Sequence, residues 1–235
     1  MTLRVLLADD QEPTRARLRR VLEAHADVVV VGEAADALEA VQAAECADAD
    51  VALLDARLSG LNTVEATRRI TQRSAASLHV LLLAPSGFDE GVYESLRAGA
   101  GGFVLKDAPA SDLVRAIRTV ARDDALVDPV RSRRLVERFV STQPADAPSF
   151  DVLDALTERE LEILIRIGRG RSDREIGREL GVVDAMVADR VAAILHKCGL
   201  RGRFQAYLFA YEHGLVMPRR RHLRLVRSSH DAVDD

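Results

Sequence analysis

The chain is poor in the residues that mark extracellular, zinc-bound or membrane proteins. Cys46 and Cys198 are its only cysteines, and they are far apart with no metal-ligand spacing. Neither a disulfide framework nor a zinc site is expected, and a reducing compartment is. No apolar run approaches the ~20 residues that a bilayer span needs. The opening Met1-Thr-Leu-Arg4 leads straight into a strand-like segment without a signal-peptide layout, so the reading is a cytoplasmic protein with no membrane partner. A Gly-rich phosphate loop and a nucleophile–base pair are both missing, so no conventional enzyme is expected. Lysine is almost absent too. The 33 basic residues include only Lys106 and Lys197, which makes both stand out in an arginine-biased chain. The net charge of −4 neither favours nor excludes a nucleic-acid partner, because charge can be segregated.

What the chain does have is a content of 48% hydrophobic and 30% charged residues, enough for a buried core in one large or two small domains. Its first half alternates short β-branched runs (4–8, 28–33, 51–55, 79–83, 102–105) with amphipathic stretches (13–24, 36–44, 63–72, 89–98, 110–122). Such alternation predicts a parallel sheet covered by helices on both faces. Five units in this length suit the doubly wound, flavodoxin-like strand order 2-1-3-4-5. Beyond residue 122 the strands stop. A helix is expected over 129–140, with a Pro-containing polar tether at 141–149. Thr157-x-x-Glu160 and Ser172-x-x-Glu175 each read as a capping box that opens a helix. Gly181 separates the second of these from a longer helix over 184–198, which is a helix-turn-helix layout. A fourth helix, 203–213, carries Phe204, Tyr207, Leu208 and Tyr211, read as an exposed face or as simple core. The expected division is 1–125 for the sheet domain, 126–150 for a helical linker and tether, 151–217 for the all-α domain, and 218–235 for a basic disordered tail.

Chemistry in a doubly wound sheet gathers beyond the carboxyl ends of the strands. Here the first strand runs into Asp9-Asp10, the third ends in Asp55, and the fifth runs into Lys106. The order 2-1-3-4-5 brings these three ends to one rim. Clustered carboxylates repel, and a hard cation such as Mg²⁺ offsets that. A carboxylate that faces a cation and an ammonium is set up to accept a phosphoryl group. Leu6-Leu-Ala-Asp-Asp10, Leu53-Leu-Asp-Ala-Arg57 and Gly102-Phe-Val-Leu-Lys-Asp107 resemble the signature segments of the NarL/FixJ family of response regulators, and the similarity runs over nearly the whole chain. The resemblance implies Mg²⁺ held by Asp9, Asp10, Asp55 and the Arg57 carbonyl, phosphorylation of Asp55, a phosphate contact from Lys106, and an aromatic switch at Phe103. Two departures stand out. Ala84 occupies the position of the family's switch hydroxyl, with Ser86 as a distant substitute. The loop after the phosphoacceptor reads Leu58-Ser-Gly-Leu-Asn-Thr63, without the family's Pro.

The last third resembles a LuxR-type DNA-binding domain through Leu156-Thr-Glu-Arg-Glu-Leu-Glu162 and Ile194-Leu-His-Lys-Cys-Gly-Leu200. The third helix of such a domain enters the major groove. In this chain it offers Met186, Ala188 and Asp189, with alanines at positions 188 and 192 where the family has lysines. Arg174, Arg178, Arg190 and Lys197 remain for the phosphates, helped by the basic tail at 219–227. Residues 154–217 hold ten basic against ten acidic residues, a weak charge balance for a DNA binder. The resemblance implies promoter DNA, a cognate sensor histidine kinase, and a homodimer or a heterodimer with another response regulator as partners. The leading expectation is a transcription regulator modulated by phosphorylation at Asp55. The alternative is a degenerate regulator that works without phosphate, through protein association or a small molecule, with the helical domain kept for dimerisation.

Overall fold

A strand covered on both faces is apolar at every position, and Val51-Ala-Leu-Leu54 and Val80-Leu-Leu-Leu-Ala84 follow that rule. The computed structural model describes residues 2–73, 78–85, 90–123, 125–140 and 151–216. In chain order the first half is β1 (Leu3–Ala8), α1 (Glu12–Glu23), β2 (Val28–Ala34), α2 (Ala37–Cys46), β3 (Val51–Asp55), α3 (Thr63–Arg73), β4 (His79–Ala84), α4 (Glu90–Arg97), β5 (Gly102–Leu105) and α5 (Ala110–Arg122). The sheet is parallel with order β2-β1-β3-β4-β5, as expected from the sequence. Period-two alternation divides its apolar residues. Val5, Leu7, Leu53, Leu81 and Leu83 face Leu18, Leu22, Leu113 and Ile117 of α1 and α5. Leu6, Ala8, Leu54, Leu82 and Ala84 face α2, α3 and α4.

The second half is α6 (Pro129–Val140), α7 (Asp151–Asp154), α8 (Glu158–Gly168), α9 (Asp173–Leu180), α10 (Asp184–Lys197) and α11 (Arg203–Glu212). Both capping boxes form, at Thr157 with Glu160 and at Ser172 with Glu175. Gly181 ends α9 at φ +69°, a left-handed conformation that glycine adopts without strain and that turns the chain into α10. The expected tether at 141–149, the basic tail at 219–227 and Ser86 lie outside the described residues. Among the described residues, no helix is long and apolar enough to cross a membrane.

Packing decides one open reading and refines another. The aromatic residues of α11 are not an exposed face: Phe204, Tyr207, Leu208 and Tyr211 are all buried, packed with α6 and α8. Nor is α6 a mere linker. Its Leu135 and Val136 are fully buried, and its Phe139 stacks on Tyr93 of α4 at 5.1 Å between ring centroids. One apolar cluster therefore runs from the α2–α4 side of the sheet through α6 into the helical domain.

Polar contacts tie the two halves along the same seam. The Tyr93 hydroxyl donates to Glu212 at 3.3 Å, and Arg97 pairs with Glu212 at 3.3 Å. The Gln205 amide donates to the Arg97 carbonyl at 3.0 Å, and the Arg201 guanidinium donates to the Thr71 carbonyl. Burial, then the Glu212 charge, pushes the Tyr93 phenol far above its ordinary range, so it stays a donor. At the seam's other end, α11 begins at Gly202 without a side-chain cap of its own. Asp123 supplies one from the end of α5: its carboxylate accepts the Arg203 N–H at 3.1 and 3.0 Å. Asp123 is itself left-handed, with φ 49°, a conformation that Asp and Asn tolerate better than most residues. The Arg203 side chain, 1% exposed, carries the link onward. It donates to Asp173 at 2.6 Å and to the Arg171 carbonyl at 2.6 Å, at the start of α9.

Candidate functional site

Strand ends position the acidic site. Asp9 follows β1 directly, Asp55 closes β3, and Lys106 follows β5. Asp9 is fully buried and Asp55 is 3% exposed, while Asp10 faces solvent. Carboxylate oxygens of the three lie within 4.8 Å of one another. Lys106 reaches past the end of β4, which lies between β5 and β3, and its Nζ donates to Asp55 at 2.5 Å and to Asp9 at 2.9 Å. Burial works against the Lys106 charge, but these two hydrogen bonds outweigh it and hold the pKa above its ordinary 10.5. The backbone fixes the carboxylates further. The Gln11 N–H donates to Asp9 Oδ1 at 2.9 Å, and the Arg57 N–H donates to Asp55 Oδ1 at 3.1 Å. Arg15, which sequence reasoning missed, donates to the Asp9 carbonyl at 2.7 Å.

The positions where the chain departs from the family lie beside this cluster. Ala84 ends β4, is 1% exposed, and its carbonyl accepts the Lys106 N–H at 2.8 Å. Phe103 on β5, 2% exposed, pairs in register with Leu82 and belongs to the same apolar cluster as Ala84. The loop after Asp55 closes without proline. Gly60 turns at φ +83°, Asn62 caps the Val64 N–H at 2.8 Å, and the buried Thr63 hydroxyl donates to the Asp55 carbonyl at 3.4 Å.

The second cluster is the helix-turn-helix of α9 and α10. Arg174, Arg178 and Arg190 are exposed, and none has an ion-pair partner among the described residues. Met186, Ala188 and Asp189 lie on the exposed face of α10, while Val187, Val191 and Ile194 are buried beneath. Lys197 sits apart from this group. Its Nζ donates to the buried Glu160 carboxylate at 2.7 Å and so closes the Thr157 capping box. The Lys197 hydrogen bond, then the Thr157 N–H, pulls the Glu160 pKa down to about 2.

This arrangement of sheet, acidic rim and helix-turn-helix has relatives. The family described as "Response regulator receiver domain" matches residues 5–118. The transcriptional regulatory protein YxjL of Bacillus subtilis is 34% identical over 215 residues, spanning 91% of this chain and 97% of its own. The chain belongs to the response regulators. VraR, a response regulator protein of Staphylococcus aureus, is 32% identical to this regulator over 216 residues, 92% of this chain and 100% of its own. Among solved structures, the response regulator ChrA of a heme-sensing two-component system aligns at TM-score 0.50 and 29% identity, covering 92% of this chain and 99% of its own. A LuxR-family response regulator from Aurantimonas aligns at TM-score 0.54 and 30% identity over 60% of this chain and 99% of its own. For a response regulator, the burial of Asp9 and Asp55 beside one lysine is the feature that bears on chemistry.

Proposed function

We propose that this response regulator controls transcription through a phosphoryl group accepted at Asp55, donated by a sensor histidine kinase. The carrying observation is the Lys106 ammonium held between Asp55 and Asp9, with Asp10 in the same cluster. In the transfer, an Asp55 carboxylate oxygen forms a bond to phosphorus as the donor's bond to phosphorus breaks, and the leaving group departs with the electron pair. Lys106 shifts from the carboxylate to a phosphoryl oxygen, and the Arg57 and Gln11 N–H groups keep Asp55 and Asp9 oriented. The all-oxygen donor set of Asp9, Asp10, Asp55 and the Arg57 carbonyl suits Mg²⁺. That ion, when bound, supplies positive charge against the phosphoryl oxygens.

The output is promoter binding through α9 and α10, by a homodimer or by a heterodimer with another response regulator. Arg174, Arg178 and Arg190 serve the phosphates and α10 serves the bases, while Lys197 serves the fold. Ala125 faces Arg174, Ala185 and Ala188 across a cavity of about 430 Å³. Part of the α9–α10 face thus borders the first half of the chain, and opening of the seam frees that part for DNA. Phosphorylation acts by shifting that equilibrium. The relatives named as regulatory proteins favour this reading over a phosphate-independent one. Acetyl phosphate with Mg²⁺ should add one phosphoryl group, read by intact mass, and Asp55→Asn should abolish it. Undiminished labelling of that variant defeats the assignment.

A further inference from the structure

The recognition helix is unlike a guanine reader. Ala185, Ala188, Asp189 and Ala192 lie at helical spacing along the exposed face of α10, Ala185 and Ala188 where it borders the cavity shared with Ala125. Met186, 52% exposed, flanks them, and Val183 just before the helix is 64% exposed. Until His196 this stripe carries a single ionisable group, and that group is an anion. An apolar helix face could dock a protein instead. The unpaired arginines around this one argue for DNA. Arg174 and Arg178 on α9 and Arg190 on α10 are exposed and without ion pairs among the described residues, which leaves them free to meet backbone phosphates.

Base-edge chemistry then limits what the stripe can read. The thymine C5-methyl group is the apolar feature of the major groove, and small apolar side chains are its partners. Asp189 can only accept. Guanine presents two acceptors and thymine an O4 acceptor, and both repel a carboxylate. The adenine amino group stands beside the N7 acceptor. Cytosine presents its N4 amino group as a lone donor. We propose that α10 reads a pyrimidine-marked half-site: thymine methyls against Met186, Ala188 and Ala192, and a cytosine N4 amino group against Asp189. The three arginines anchor the flanking phosphates. This deepens, and rests on, the DNA-binding reading above.

The test uses the full chain with Mg²⁺ and acetyl phosphate. It is challenged with a pool of random duplexes at low salt, and retained duplexes are sequenced. The best duplex is then remade with uracil for thymine, which removes only the methyl groups. The expected sites fix thymines and at least one cytosine. Uracil should weaken binding about fourfold per contacted methyl. Met186→Ala should shrink the thymine–uracil difference, and Asp189→Ala should erase the cytosine preference while binding random duplexes more tightly. Equal binding of uracil and thymine duplexes overturns the proposal, as does a cytosine preference that survives in Asp189→Ala. Retention without any sequence enrichment also overturns it, leaving phosphate binding alone. No retention of any duplex, even at low salt, overturns the DNA-binding reading itself.

Discussion

Asp123→Gly isolates the cap that joins the two halves. The substitution removes the carboxylate that accepts the Arg203 N–H at 3.1 and 3.0 Å. Glycine is at ease at φ 49°, so the end of α5 is not strained by the change and is, if anything, relieved. Loosening therefore traces to the contacts of the Asp123 carboxylate, the cap on Arg203 among them. A helix N-cap contributes about 1 kcal/mol, and a charged acceptor near the helix start brings this to about 1–2 kcal/mol. That corresponds to a factor of roughly 5–30 in the population of the open arrangement. Native-state hydrogen exchange on the full chain reads it directly. Exchange in the first turn of α11 should rise by that factor. The amides of α4, covered by Tyr93, Arg97 and their partners, should rise in parallel, while β1, β3 and α8 stay unchanged. Faster exchange in α11 alone would make Asp123 a helix cap and nothing more. Unchanged exchange in both would refute the account of the seam.

Four further outcomes follow from the same geometry. The Glu160 pKa, depressed from 4.5 to about 2, means its contribution to stability is fully present above pH 4.5 and is lost as pH falls toward 2; the melting temperature of Glu160→Gln should depend less on pH across that window. Lys197→Met should destabilise the helical domain by about 1–3 kcal/mol in urea unfolding, because Glu160 is left buried without its ammonium; an unchanged midpoint would return Lys197 to the surface charges. Millimolar Mg²⁺ should raise the melting temperature of the intact chain and leave Asp10→Asn flat, with no rise in the intact chain counting against a competent site. Ala84→Thr should restore a hydroxyl at the end of β4 and enlarge the change in α4 exchange on adding acetyl phosphate; an equal response in the unmodified chain would show that another group already couples phosphate to the seam.

Local pattern was enough for much of this protein. Continuous apolar runs gave the covered strands, alternation with amphipathic stretches gave the parallel order, and two capping boxes with Gly181 gave the helix-turn-helix, because each of these is written in neighbouring residues. Strand order also brought Asp9, Asp10, Asp55 and Lys106 to one rim, since a parallel sheet has only one carboxyl edge. Other features depend on partners far away in sequence. The exposure of the α11 aromatics was open in the sequence, because helical spacing is the same for a surface stripe and for core. Lys197 looked like a surface charge because nothing near it in sequence says that Glu160 is buried within reach. The cap from Asp123 to Arg203 joins residues 80 positions apart, and no local signal marks either as half of a pair. Periodicity and strand topology are local and general, so the sequence determines them. Which cation meets which buried carboxylate depends on how elements distant in sequence pack, and only the tertiary structure decides that.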